Sequence, residues 1–305
     1  MVVFDTHAHY DSGAFNADRL EVLASMPGHG VELIVNPGCD LESSKAALEL
    51  ADRFPHVYAA VGVHPSDCGG WEDGTLLELR ALAAHPKVRA IGEIGLDYYW
   101  KDNPPRALQQ NVFRRQLELA QSLYLPVIVH DREAHQDCLS IVREYPQVTG
   151  VYHCYSGSLE DAKVLVKLGW MLSFTGVITY KNARKALEVI DWLPMDRIMI
   201  ETDSPYLTPE PFRGKRNDSS RYKCCTAAAA SSGNSAFIPG IVNWSCVGIA
   251  VGSAHAQLIH TGLCYYNSAC SLQLINDMRI VYRDIIIQNT GGCRGTDSLR
   301  IHVIL

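Results

Sequence analysis

Eight short apolar runs, each followed by a longer mixed stretch, occupy the first two thirds of this chain. The runs are Val2–Phe4, Val31–Val35, Val57–Val63, Val88–Ile94, Pro126–Val129, Gly150–Tyr152, Trp170–Phe174 and Arg197–Ile200. They recur roughly every 20–40 residues, the spacing of repeated β-α units. They are almost continuously apolar, as strands buried on both faces of a parallel sheet are. Several of the stretches between them have the texture of helices. Leu41–Phe54 places Leu41, Ala46, Ala47, Leu48, Leu50 and Ala51 toward a core and ends before Pro55. Leu76–Ala84 stops before Pro86, Pro104–Leu123 opens on two prolines, and Ser158–Leu168 starts with a weak Ser158/Asp161 capping box. Strands alternating with helices in this way build either a closed barrel or an open doubly wound sheet.

The polar residues that follow the strands decide between the two. The first run leads into Asp5-Thr6-His7-Ala8-His9, the third into His64-Pro65, and the fourth contains Glu93 and leads to Asp97. The fifth leads into His130-Asp131, the sixth into His153-Cys154 and the eighth into Glu201-Thr202-Asp203. In a TIM-type (β/α)8 barrel all strand C-termini converge on one mouth, so these scattered residues would meet there. The expected fold is therefore an α/β barrel of the metallo-dependent hydrolase type.

Histidines and carboxylates at one mouth are ligands for zinc, manganese and related divalent ions. His7 and His9 are two apart, so on a strand they point the same way and can chelate one ion, with Asp203 completing the site. His130 and His153 come from neighbouring strands and can hold a second ion, and Glu93 has two oxygens with which to bridge the pair. Two such ions, whether Zn, Mn or Mg, would acidify a water and clamp a phosphoryl group. Taken singly, each histidine is as readily a surface or structural residue, and Glu93 and Asp203 could instead pair with basic side chains. The joint pattern is what carries weight. His29, His56, His85, His135, His255, His260 and His302 follow no strand in this way and are expected on the surface or in the tail.

The net charge of −6 excludes a general basic field for holding nucleic acid, so any such substrate needs a local cation or a metal. The basic run Arg213-Gly214-Lys215-Arg216 favours an anionic substrate, with Arg213 and Lys215 the candidate phosphate contacts; a solvated loop is the plain alternative. The first residues form a strand pattern rather than an export leader, which points to an intracellular place, cytoplasm or nucleus. In that compartment the ten cysteines are expected as thiols. No membrane partner and no obligate protein partner is expected.

At these residues the chain resembles the TatD family of metal-dependent deoxyribonucleases. The resemblance rests on Phe4–His9, Val61–Pro65, Ile91–Tyr98, Pro126–His130, Tyr152–Gly157, Glu201–Leu207 and Pro211–Asn217, and it covers about residues 1–220. It implies a barrel with two metal ions and hydrolysis of DNA phosphodiesters. It also implies one ion on His7, His9, Glu93 and Asp203, a second on Glu93, His130 and His153, and His64 facing the substrate. Asp203, Glu93 and His64 are then the catalytic candidates. A barrel amidohydrolase or lactonase is the alternative; many of those carry a bridging lysine on strand four, where this chain has Glu93.

After Ser220 the resemblance ends. From Cys224 to Asn276 there is no Lys, Arg, Asp or Glu, and glycines and Pro239 interrupt any helix. Ala236–Ala254 is about one bilayer span long but is too polar and glycine-rich for a good transmembrane segment. The expectation is a barrel domain over residues 1–220, incomplete at its last helix, with a divergent and poorly ordered tail over 221–305, as an alternative terminus would give. An inactive variant with a disrupted barrel is the consequence to weigh.

Overall fold

A computed structural model describes residues 3–231 of the chain. Eight parallel strands lie side by side in chain order. They are β1 (Val3–Asp5), β2 (Val31–Pro37), β3 (Val57–Val61), β4 (Val88–Asp97), β5 (Val127–Arg132), β6 (Gly150–Tyr152), β7 (Met171–Phe174) and β8 (Ile198–Ile200). The ring is completed just past the ends of β1 and β8. There Ala8 bridges to Ser204, and the His9 and Asp203 amides donate to the Ser204 and His7 carbonyls at 2.6 and 2.9 Å. Buried Asp5 reinforces that seam by accepting from the Thr202 amide and hydroxyl at 3.0 and 2.5 Å. The sheet is a nearly closed (β/α)8 barrel.

Two layers of apolar side chains explain why every strand is apolar on both faces. One cluster draws at least one residue from each strand: Phe4, Val35, Ala60, Ala90, Ile128, Val151, Met171 and Met199 fill the lumen. The larger cluster packs the outer face of the barrel against its helices. The lumen parity then carries upward along several strands. Counting in twos from lumen residues reaches His130 on β5 and, just past the strand ends, His64 after β3, His153 after β6, and Glu201 and Asp203 after β8. Glu93 lies in the register break between Ile91 and Ile94, and His7, past the end of β1, is three residues from Phe4, so neither follows that count.

The helices are α1 (Arg19–Ser25), α2 (Leu41–Arg53), α3 (Asp73–Ala83), α4 (Arg106–Leu123), α5 (His135–Arg143), α6 (Leu159–Lys167), α7 (Arg184–Trp192) and α8 (Tyr222–Ala230). α2 starts on a capping box in which Asp40 accepts from the Ser43 amide at 2.7 Å. α6 starts at Ser158, whose hydroxyl accepts from the Asp161 amide as expected. α3 begins three residues before the apolar pattern does, because Glu72 and Thr75 form a box of their own. The most consequential helix is α4. Its Gln109 and Gln116 are two turns apart and buried, and each uses its amide as a strand would use its backbone. Gln116 accepts from the Val63 amide and donates to the Val63 carbonyl at 2.7 and 2.9 Å. Gln109 does the same at Asp97, at 2.9 and 3.1 Å. Both clamps fix backbone beside the barrel mouth.

The place where order was expected to fail needs correction. A helix, α8, begins at Tyr222 and buries Tyr222, Cys225, Thr226 and Ala229. These fall at helical spacing on one face, and the run Ala227–Ala230 is the strongest helix former available. The helix packs by β8, so a short cover stands where the last barrel helix was expected to be missing. The adjacent Cys224-Cys225 pair belongs to this helix, with Cys225 in the core. All six cysteines among the described residues are free thiols. The tail beyond Ser231, with Ala236–Ala254, lies outside the described residues. Among the described residues no helix is long and apolar enough to cross a membrane.

A chain ending after Ser220 is expected to be about 3–5 kcal/mol less stable than one ending after Ser231, from the apolar area of Tyr222, Cys225 and Ala229 returned to water. Urea unfolding of the two proteins measures this. Coincident midpoints would show that α8 contributes no cover.

Candidate metal centre

Ring nitrogens and carboxylate oxygens carried in or just after six of the strands meet at the mouth. His7 Nε2 lies 3.0 Å from His9 Nε2, 3.2 Å from Glu93 Oε2 and 3.7 Å from Asp203 Oδ1. His9 Nε2 is 3.6 Å from both Glu93 Oε2 and Asp203 Oδ1. A tetrahedral shell with ligand bonds of about 2.0–2.2 Å has edges of about 3.3–3.6 Å, so these separations are those of atoms around one cation. The other oxygen, Glu93 Oε1, faces a different set: His130 Nδ1 at 2.8 Å, His153 Nε2 at 2.9 Å and His64 Nε2 at 3.7 Å. Donor atoms within 4.8 Å of one another also group as His7/His153/Asp203 and His64/Glu93/His130. The second lies within the set around Glu93 Oε1, while the first cuts across the two sets, as one continuous cluster would. The stacking of His7 on His153, with centroids 4.0 Å apart, has the same origin.

The residues around the cluster hold its rings in the form a cation needs. Asp97 Oδ2 accepts from His130 Nε2 at 3.0 Å, which turns Nδ1 toward Glu93. Glu201 Oε1 accepts from His153 Nδ1 at 3.3 Å and from the Cys154 amide at 2.7 Å, while its Oε2 accepts from Ser173 Oγ at 2.7 Å. A carboxylate on the far nitrogen of a histidine fixes the tautomer and raises the basicity of the near one. Asp97 and Glu201 were visible in the sequence only as strand-end carboxylates without a role; their distances to the rings supply it.

Charge makes the same point. Glu93, Asp97, Glu201 and Asp203 are all buried, and among the described residues no Lys or Arg forms an ion pair with any of them. Uncompensated buried carboxylates are costly, so positive charge must come from the imidazoles or from cations. Burial tends to neutralise His153, but the charge of Glu93 and the bond to Glu201 overcome it and raise the ring well above the ordinary range. His130 rises too: burial opposes, while bonds to Asp97 and Glu93 prevail. Burial would raise Glu93, but the charges on His153 and His7 and the bonds from His130 and His153 hold it well below the ordinary range. Asp203 is raised, by burial above all. The donor set and its charge fit divalent metal binding.

A cation there competes with protons for His130 and His153, since the neighbouring carboxylates raise both rings. Apparent metal affinity is expected to fall by about tenfold for each pH unit and each proton displaced, as pH drops through the raised histidine range. Calorimetry in two buffers of different ionisation enthalpy counts the protons. Affinity independent of pH, with none released, would contradict this.

The remaining expected residues divide. His64 is at the cluster, and burial, then the charge on His130, push it down to about 3, so its imidazole is neutral. The Ser66 amide donates to its Nδ1 at 3.1 Å, which leaves the ring proton on Nε2, facing Glu93. Arg213 and Lys215 are exposed and make no hydrogen bond or ion pair with the cluster among the described residues; the Arg213 guanidinium lies 4.2 Å over the Tyr180 ring. Arg216 is committed elsewhere, to Asp18 through two bonds of 2.7 Å. His29 is exposed as expected, but His135 is half-buried and pairs with Asp131 at 2.9 Å. His255, His260 and His302 lie outside the described residues.

Fold and site together define a metal-dependent hydrolase barrel. The chain belongs to the TatD family: the family profile described as TatD related DNase matches residues 4–235. An uncharacterized metal-dependent hydrolase of Bacillus subtilis, YabD, is 43% identical over 224 residues, covering 73% of this chain and 88% of that protein. A protein of Cronobacter turicensis named 3'-5' ssDNA/RNA exonuclease TatD is 36% identical over 218 residues, covering 70% of this chain and 83% of its own length. The crystal structure of YjjV, a TatD homolog from Escherichia coli, superposes with a TM-score of 0.71 at 33% identity, over 75% of this chain and 89% of that one.

Proposed function

We propose that this chain is a nuclease that hydrolyses DNA phosphodiester bonds with two divalent ions. The observation that carries the proposal is the split of Glu93: one oxygen faces His7 and His9, the other His130 and His153. A carboxylate shared in this way is what a bridging ligand requires. In this reading His7, His9 and Asp203 hold one ion with Glu93, and His130 and His153 hold the other. Ions so held supply Lewis acidity at a phosphoryl oxygen and make water ionisable near neutral pH.

The chain's own groups do the rest. Asp203 faces His7 and His9 through Oδ1 and is the acceptor for the proton that water loses as its oxygen attacks phosphorus. One P–O bond forms, the ester P–O bond breaks, and the departing sugar oxygen takes a proton from solvent. His64 directs its Nε2–H at the same region and donates to a phosphoryl oxygen. We assign Arg213 and Lys215, exposed on the loop after β8, to phosphates farther along the strand. The name of the Cronobacter relative supports a nucleic-acid substrate. Within the family we place the body nearest the third TatD-domain-containing vertebrate paralogue, on the detail of its motifs.

The test is incubation of the purified protein with an end-labelled single-stranded oligodeoxynucleotide and Mn, Mg or Zn salts. Cleavage that chelation abolishes and metal restores is expected. Intact DNA under all three metals would overturn the proposal.

A further inference from the structure

Three exposed side chains next to the cluster have no use in hydrolysis itself. Tyr99 and Trp100 follow β4 and are 52% and 57% exposed. Their rings meet edge to face with centroids 4.8 Å apart. The guanidinium of Arg132 lies 4.0 Å from the Tyr99 centroid and 5.4 Å from that of Trp100. Arg132 pairs with Asp97 in the β4–β5 register and stands two residues beyond His130. Among the described residues no carboxylate forms an ion pair with it.

This patch is built rather than loose. The amides of Tyr99 and Trp100 both donate to Asp97 Oδ1, at 3.0 and 3.4 Å, and Asn103 donates to the Asp97 carbonyl at 3.1 Å. Tyr98, the residue before, is tied by its hydroxyl to Asp137 at 2.8 Å and covered by Arg106 at 4.2 Å. The other oxygen of Asp97 accepts from His130. One carboxylate thus fixes a cluster histidine and the exposed aromatic turn together.

We infer that Tyr99, Trp100 and Arg132 form a stacking platform for one unpaired base of a nucleic-acid strand whose phosphodiester lies at the His–carboxylate cluster. The inference rests on the nuclease reading above. Aromatic faces and a guanidinium plane take a base regardless of its identity, and Arg132 can also meet the adjoining phosphate. A chain of net charge −6 has no general field for DNA, so contacts of this local kind must supply the affinity. Two half-exposed rings offer on the order of 200 Å², far short of the roughly 800 Å² per partner that a stable protein interface needs. A base inside a duplex has both faces covered by its neighbours and cannot use the platform.

The test measures binding by fluorescence anisotropy, with metal-loaded protein and a labelled, hydrolysis-resistant phosphorothioate oligodeoxynucleotide. Trp100→Ala is expected to weaken single-strand binding by about five- to 150-fold, with duplex binding and metal content unchanged. Trp100→Phe is expected to recover most of the loss. Removing bases from the oligonucleotide one at a time is expected to reveal one position whose loss weakens the wild type and leaves Trp100→Ala indifferent. Equal single-strand affinity for wild type and Trp100→Ala, or parallel losses on single strand and duplex, would overturn the platform alone. A wild type that binds no DNA would overturn the nuclease reading and the platform with it.

Discussion

Glu93→Ala is expected to lose metal from both halves of the cluster and to cut hydrolysis by on the order of 10³-fold or more, about 4 kcal/mol of barrier. The reason is geometric. Glu93 Oε2 lies 3.2 and 3.6 Å from His7 and His9, and Oε1 lies 2.8 and 2.9 Å from His130 and His153. Among the described residues no other carboxylate forms ion-pair contacts with histidines of both sets. Without it the histidines would also lose the charge that keeps His153 and His130 basic. His153→Ala, by contrast, touches one set and is expected to leave roughly half of the metal. Elemental analysis of the three purified proteins gives the comparison. Full metal content in Glu93→Ala would rule out a bridging role.

Asp203→Asn is expected to lower turnover by about 10²–10⁴-fold while leaving the thermal midpoint close to that of the wild type. The amide cannot accept a proton and binds cations weakly. It does keep the shape, and it suits the backbone: Asp203 has φ of 54°, a left-handed conformation that Asn tolerates well and Ala does not. Asp203→Ala is therefore expected to lose stability as well as activity. Combined with Glu93→Ala, Asp203→Asn is expected to cost little more than Glu93→Ala alone, because both serve one unit. Steady-state rates and thermal melts of the single and double variants check this; wild-type turnover in Asp203→Asn would remove it from the mechanism.

Much of this was legible in the sequence because the barrel imposes a simple rule. A strand apolar on both faces, followed by a histidine or carboxylate, places that residue at the mouth, and His64, His130, His153 and Asp203 continue the lumen parity of their strands. Position alone does not separate a cluster member from its support. Asp97 ends β4 and Glu201 follows β8 much as Asp203 does, and only their place behind His130 and His153 tells them apart from cluster members. Gln109 and Gln116 were invisible for a different reason. A glutamine within a helix is read as surface, and nothing local shows that its amide replaces a missing backbone partner at Asp97 or Val63.

The helices were less legible than the strands. α1, α5 and α7 are short, seven to nine residues, and give too few turns for a clear apolar face. α8 was missed because composition was averaged over the charge-free tail, where the run Ala227–Ala230 is only a small part. Gly95 shows the opposite case, a local feature with a long-range cause. It has φ of +141°, and a Cβ there would lie 2.0 Å from the His130 carbonyl oxygen, so β4 and β5 can approach at that level only through glycine. That close approach brings Glu93 and His130 together.

The central claim is that one carboxylate joins two cations, and anomalous diffraction from crystals grown with Mn or Zn tests it most directly. The account predicts two anomalous peaks flanking the Glu93 carboxylate, one among His7, His9 and Asp203 and the other beside His130 and His153. A single peak, or peaks away from Glu93, would contradict it.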